Sequence, residues 1–292
     1  MYTGIEIKDD IIESIKAKLR EELRWSEVDK RIDELRNIGE VRQKENREII
    51  RAKIDEFVSV DGVIDAESLM KEWFPEIKAD ILLSHSSRDK SDIHLIVGYF
   101  EKELGLKVFV DSLVWGYSGK LLKDLNDEYA KNHSGNYDYD PAMWLSSNVN
   151  LILNTALNKM VDRTECLLFF NTPNSVSSSE GDKDNGSMSN SPWIYSELSM
   201  TDTMRKKTPR RYLIKSIDES YIGNESMEFE DKRGVKFIYK LPNTLIRLEE
   251  GKLKDWLNYT TRGLGRLDDL YDILGIIEKK EAITGNTNIM HF

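Results

Sequence analysis

The chain has 292 residues, 39% of them hydrophobic and 32% charged, with a formal net charge of −10. That size and balance suit a soluble globular protein of one large domain with a smaller one, or of two domains, and an acidic chain has no field to hold nucleic acid or an anionic membrane without specificity. The single cysteine, Cys166, excludes an internal disulfide framework and suits a reducing cytosol.

Residues 1–78 read as a helical, highly charged segment. Met1-Tyr2-Thr3-Gly4 shows no basic stretch leading into an apolar core, so no secretory signal is expected. No apolar run approaches the roughly 20 residues that span a bilayer, and a cytoplasmic protein without membrane partners is the expectation. Ile11, Ile15, Leu19 and Leu23 recur every fourth residue and predict a one-faced helix. Ser26 with Asp29 resembles a capping box that opens a second helix, carrying Val28, Ile32, Leu35 and later Ile49, Ile50, Ile54 and Phe57. Its middle, Gly39 to Arg47, is almost wholly polar and predicts a break or a solvent-crossing section. An Asp61-Gly62 turn follows, then a short helix over Asp65 to Phe74 that Pro75 stops. The segment has apolar stripes but little apolar mass, so it either docks on the next domain or pairs with another copy.

From Ala79 the pattern alternates between strands and helices. Asp80 to Ser84 is a short apolar run suited to a buried parallel strand. Asp89 to Leu104 predicts an amphipathic helix ended by Gly105, and Lys107 to Asp111 a second strand. Residues 112–147 hold Trp115, Tyr117, Tyr129, Tyr137, Tyr139 and Trp144, too many aromatics for disorder, and predict an ordered insertion. Asn148 to Val161 is a helix, Cys166 to Phe170 a buried strand, and Arg211 to Ile214 a last strand. Residues 171–192 are mostly small and polar and predict a mobile loop, which is either a lid or a tolerated surface insertion. The tail from Glu278 reads as frayed. Strands separated by helices predict an α/β fold, a parallel sheet with helices on both faces, whose ligands bind beyond the carboxyl ends of the strands. Those ends are Ser84-His85-Ser86-Ser87, Asp111-Ser112 and Asn171-Thr172.

Ser191-Pro192-Trp193-Ile194-Tyr195-Ser196-Glu197-Leu198 follows the polar loop and opens a helix, with Ser191 as N-cap and Pro192 at the first helical position. Trp193 and Glu197 are four residues apart and share a helix face. An aromatic plane beside a carboxylate can hold a sugar or nucleotide; packing for the Trp and solvation for the Glu are the ordinary alternatives. Metal chemistry has little support, because the four histidines show no ligand spacing and one cysteine makes no thiolate cluster. Ser84-His85 is no nucleophile pair, since neighbours on an extended chain point to opposite faces and no GxSxG elbow is present. The basic run Arg205, Lys206, Lys207, Arg210, Arg211 suits a solvated helix end better than a phosphate site.

Four stretches together carry a resemblance. Asp80 to Lys90 (DILLSHSSRDK) resembles the first box of TIR (Toll/interleukin-1 receptor) domains. Val108-Phe109-Val110-Asp111 with Trp115-Gly116 resembles their second strand and BB loop, although the long insertion departs from compact members. Cys166 to Asn174 resembles the strand that ends in an Asn/Ser-Pro-Asn turn. Trp193 to Leu198 is similar to the WxxxE-type motif in which NAD-cleaving TIR domains keep a catalytic glutamate. The boxes occur in the family's order and cover about residues 79–218. The likeness is to bacterial TIR proteins with a preceding helical segment, some of them antiphage proteins of the Thoeris type.

The resemblance implies a flavodoxin-like sheet over 79–218 (the TIR fold), preceded by the helical segment 1–78 and followed by a C-terminal extension, 219–292, packed on the domain. It implies NAD as substrate rather than a bound cofactor, Glu197 as the catalytic residue, and a wall drawn from Ser84, Ser86, Asp111, Trp115 and Trp193. It also implies homo-oligomers, formed through the TIR domain or the N-terminal helices. One carboxylate suffices for this chemistry, because nicotinamide is a cationic pyridinium that leaves as a neutral molecule and needs no general acid. Glycosidases acting on ordinary sugars need two. Water capture gives ADP-ribose and internal capture a cyclic isomer. The rival expectations are a non-enzymatic TIR adaptor that signals by self-association, and a nucleoside or NADP as substrate.

Overall fold

Thr3-Gly4-Ile5-Glu6-Ile7-Lys8 sets Ile5 and Ile7 on one side and Gly4 and Glu6 on the other, the period-two pattern of a strand, and it is one. The computed structural model describes residues 1–49, 64–73, 77–110, 112–176, 188–212 and 239–276. In chain order these form β1 (Thr3–Lys8), α1 (Asp10–Glu22), α2 (Trp25–Ile49), α3 (Ala66–Trp73), β2 (Ile81–Ser84), α4 (Lys90–Tyr99, continuing as a π turn over Phe100–Leu104), β3 (Val108–Val110), α5 (Ser112–Tyr129), α6 (Tyr139–Arg163), β4 (Cys166–Asn171), β5 (Met188–Ser189), α7 (Pro192–Thr203), β6 (Tyr239–Lys240), β7 (Ile246–Arg247), α8 (Glu250–Asn258) and α9 (Leu264–Leu274).

The main sheet has five strands in the order β3-β2-β4-β1-β7, all pairs parallel. The protein is therefore α/β. Alternation along the strands feeds two cores. Ile5, Ile7, Ile81, Leu83, Val108, Val110, Cys166, Leu168 and Phe170 face a first layer made of α1, α2, α4, α8 and α9. Leu82, Phe109, Leu167 and Phe169 face a second layer made of α3, α5, α6 and α7. No helix among the described residues is long and apolar enough to cross a membrane.

Several expectations change. The segment 1–78 is not a helical unit set before a domain that begins at 79: β1 is an interior strand, paired with β4 on one side and β7 on the other. Its helices dock rather than stand apart, with Ile11, Ile15, Leu19, Val28, Ile32 and Leu35 all buried in the first core. The described part of 219–292 is likewise built into the fold. β7 extends the main sheet, β6 pairs antiparallel with β5, and Leu253, Trp256, Leu267 and Leu270 fill the first core. Residues 112–147 are not an insertion but helix α5 and the start of α6, the crossover that parallel strands β3 and β4 require. Arg210–Tyr212 is a single 3₁₀ turn rather than a strand. The Asp61-Gly62 turn, Leu213 and Ile214, most of the loop 171–192 (177–187) and the tail lie outside the described residues.

The polar stretch from Gly39 to Arg47 does not break α2, which starts at Trp25 rather than after Ser26 and runs unbroken for 25 residues. Gln43 and Asn46 are 5% exposed, and Gln43 Oε1 meets His94 Nε2 at 2.9 Å. α2 and α4 come backbone to backbone through two glycines. A Cβ on Gly98 would stand 1.8 Å from the Leu35 carbonyl oxygen, and one on Gly39 would stand 2.1 Å from that of His94. Neither neighbour can yield, since both are helical backbone.

G98A should therefore destabilise the protein by about 2 kcal/mol or more through forced separation of α2 and α4. G119A, on exposed α5 with nothing within 4 Å of the added carbon, should stabilise it by about 0.5–1 kcal/mol. Urea unfolding midpoints for the two variants decide it; a G98A midpoint equal to wild type would refute the close crossing.

Candidate functional site

Ser191 and Pro192 start α7 as their chemistry requires. The Ser191 Oγ accepts from the Ile194 N–H at 3.4 Å, and Pro192 takes the first helical position, where a missing N–H leaves nothing unpaired. The start of α7 is tied to the carboxyl end of β4. Ser175 Oγ donates to the Phe170 carbonyl (3.1 Å), Ser189 Oγ donates to the Ser175 carbonyl (2.9 Å), and the Ser191 N–H donates to Ser189 Oγ (3.1 Å). Beyond the helix's far end, the Lys207 N–H donates to the Met1 carbonyl at 2.9 Å, at the amino end of β1. α7 thus runs antiparallel to the strands across the second face.

Its contact with β1 is close. A Cβ on Gly4 would lie 2.9 Å from Thr201 Cγ2 and 2.7 Å from Leu245 Cδ2. From that crossing, two residues up the strand is about 6.6 Å and reaches Glu6. Four residues back along the helix is about 6 Å and reaches Glu197, on the helix face that carries Thr201. Glu6 and Glu197 therefore stand at one level of the second face. Register extends that level into a row: Ser84 on β2 pairs with Phe169 on β4, Phe169 with Glu6 on β1, and Glu6 with Arg247 on β7.

Glu197 is 0% exposed, as is Ser84. Among the described residues the Ser84 Oγ has no hydrogen-bond partner, whereas Glu6 Oε1 accepts from Asn171 Nδ2 at 3.0 Å and from Arg247 Nη2 at 3.3 Å. Ser86 serves the local backbone, because its Oγ accepts from the Arg88 N–H at 3.4 Å and caps the short 3₁₀ turn Ser87–Asp89. Trp193 is half-buried and packs against the second core, one helical turn before Glu197 on α7. Trp115 lies on α5, and its side chain and the whole of Asp111 lie outside the described residues.

Sequence reading missed what joins the strand ends. Asp89 is 8% exposed and accepts from Thr172 Oγ1 at 2.6 Å and Asn174 Nδ2 at 2.5 Å, so one carboxylate ties the turn after β2 to the turn after β4. It missed Glu6 as well, although the alternation over Thr3–Lys8 was there to be found. At the opposite, amino end of the sheet the charges are paired off. Arg211 grips Glu165 through both Nη atoms at 2.6 Å, and its Nε reaches Asp268 at 2.7 Å. Burial works against its charge, but these carboxylates outweigh it and hold the guanidinium above its usual pKa. Burial also pushes the Cys166 thiol up, which leaves it no thiolate for nucleophilic chemistry.

A buried hydroxyl without a partner costs about 1–3 kcal/mol. S84A should leave stability unchanged or raise it by about 1 kcal/mol, read as a thermal or urea midpoint. A clear loss of stability would show that Ser84 holds the fold rather than awaiting a ligand.

No protein-family model, no curated protein and no solved structure matches the chain, and the chemistry of the site rests on its own residues.

Proposed function

We propose that the protein cleaves the bond between nicotinamide and ribose in NAD, with Glu197 as the catalytic carboxylate and Ser84, at the end of β2, on the same level of the second face. The observation that carries this reading is the placement of a fully buried glutamate in the first turns of α7, level with the last residue of β2. Parallel sheets bind ligands beyond the carboxyl ends of their strands. The strands with TIR-like boxes are adjacent in the order β3-β2-β4, the 2-1-3 order of flavodoxin-like sheets. The place of the fourth strand is taken by β1, which departs from the sheet that the resemblance implies.

In the reaction the C–N bond breaks and its electron pair leaves with nicotinamide, which becomes neutral. The ribose carbon becomes an oxocarbenium-like cation, which Glu197 stabilises by its charge in a site closed to bulk water. Water adds to that carbon and loses a proton, giving ADP-ribose; attack by a nucleophile of the same molecule gives a cyclic isomer. Such a protein would act in bacterial antiphage signalling. Nicotinamide release from NAD by concentrated purified protein tests the reading. E197Q should be slower by about 10²–10³-fold, the effect of losing one electrostatic stabiliser. Silent wild-type protein would sink the enzyme, and equal rates would sink the role of Glu197.

Self-association has its own support. The outer side of the first half of α6 exposes Trp144 (64%), Met143 and Leu151, with Tyr139 (73%) at its start. Apolar positions in one such stripe suit contact with a second copy. W144E should lower the mass measured by light scattering at high protein concentration; a wild-type protein monomeric throughout would remove this reading.

A further inference from the structure

We propose that Glu6 is a second substrate carboxylate of this site: it accepts hydrogen bonds from the hydroxyls of the reacting ribose and leaves Glu197 to face the carbon that loses nicotinamide. The proposal deepens, and rests on, the reading of the site as an NAD-cleaving one. It starts from a charge in an unexpected place. β1 is an interior strand, and its neighbour in the row, Phe169, is 1% exposed. A carboxylate so placed costs stability unless its bonds offset the loss of water.

The bonds it has are few. Arg247 is 52% exposed and reaches it once, at 3.3 Å, and pairs of that exposure contribute at most about 1 kcal/mol. Asn171 adds one neutral donor at 3.0 Å. Both go to Oε1, and among the described residues Oε2 carries no bond. The side chain is 16% exposed, so a ligand can reach it. Glu6 is thus oriented by two donors on one oxygen and open on the other.

Ser84 is an independent sign of a ligand. It ends the same row on the same face, two strand spacings away (about 9.6 Å), wholly buried and, among the described residues, with no partner for its hydroxyl. A row with an unpartnered hydroxyl at one end, an open carboxylate oxygen near the other and Glu197 at its level suits a ligand rich in neutral donors. A ribose diol is such a ligand: it offers two O–H groups to a carboxylate. A phosphate or carboxylate would be repelled there.

The test separates Glu6 from the reaction. Steady-state nicotinamide release, calorimetric binding of ADP-ribose, and NAD analogues lacking the 2′- or 3′-hydroxyl are measured for wild type, E6Q, E197Q and R247M. Gln retains an acceptor for Asn171 and Arg247. E6Q is expected to raise KM and the Kd for ADP-ribose about tenfold or more, the loss of one hydrogen bond to a charged group, with kcat little changed. The penalty for at least one missing hydroxyl should vanish in E6Q. R247M removes only the outer ion pair, so it should keep both hydroxyl penalties; it covers the case of an E6Q protein that does not fold. If R247M abolishes a penalty as E6Q does, or if folded E6Q keeps wild-type KM, Kd and penalties, the role of Glu6 is overturned while E197Q still reports on cleavage. Glu6-dependent binding without nicotinamide release would keep Glu6 and end the cleavage reading. No binding of ADP-ribose by wild type would end the proposal.

Discussion

The closeness of α7 to β1 is the constraint on which the site depends. Gly4 has no side chain, so Thr201 and Leu245 fill the space where one would stand. A helix seated that low can put a side chain one turn away directly on the sheet, and Glu197 is that side chain. Any larger residue at position 4 would lift α7 and carry Glu197 away from the row of Ser84 and Glu6. The same contact explains why the N-terminal strand cannot be an appendage. It is the floor on which the glutamate helix rests, and it pairs with β4 over its full length.

Much of the α/β pattern was legible. Ile81–Ser84 and Cys166–Asn171 are short apolar runs because both faces of a parallel strand are covered. Gly105 ends the α4 region with φ 70°, a left-handed conformation that suits it. β1 was not legible by the same rule, because its second face carries Gly4 and a carboxylate instead of large apolar groups. Glu6 and Lys8 made the stretch look like the charged helices that follow. The polar middle of α2 misled for a related reason: a buried Gln43 paired with His94 is polar by composition and interior by position. In both places tertiary partners, invisible in one sequence, decide what a charge or amide means. Of the site, Glu197 and Ser84 were readable because a helix start and a strand end announce themselves locally. Asp89 and Glu6 depend on which strands become neighbours, and no local signal encodes that.

The two ends of the sheet are built to different standards. At the amino end Arg211, Glu165, Asp268 and Tyr271 form a network in which each group meets a partner. At the carboxyl end Asp89 holds the β2 and β4 turns together, yet Ser84 beside them carries a buried hydroxyl that no described residue satisfies. A chain selected only for stability would replace that serine by alanine. An uncompensated hydroxyl on the side where parallel sheets bind ligands is what the proposed site would require.

Electrostatics then narrow what such a site can favour. The N-terminal end of α7 carries the positive end of its dipole, which eases the burial of Glu197 within the first two turns. Arg247 does the same for Glu6 from the outer edge. Under the proposed reading the space between the two carboxylates is negative, within a chain already acidic by 10 charges. An anionic group gains nothing by entering it. A neutral sugar that becomes cationic on losing its leaving group gains in proportion to how far the bond has broken, which is stabilisation of the transition state over the ground state. The phosphates of a dinucleotide would then have to lie away from the row, toward solvent and the outer edge of the sheet. Under this reading, the placement of charge selects both the bond that breaks and the direction from which the substrate enters.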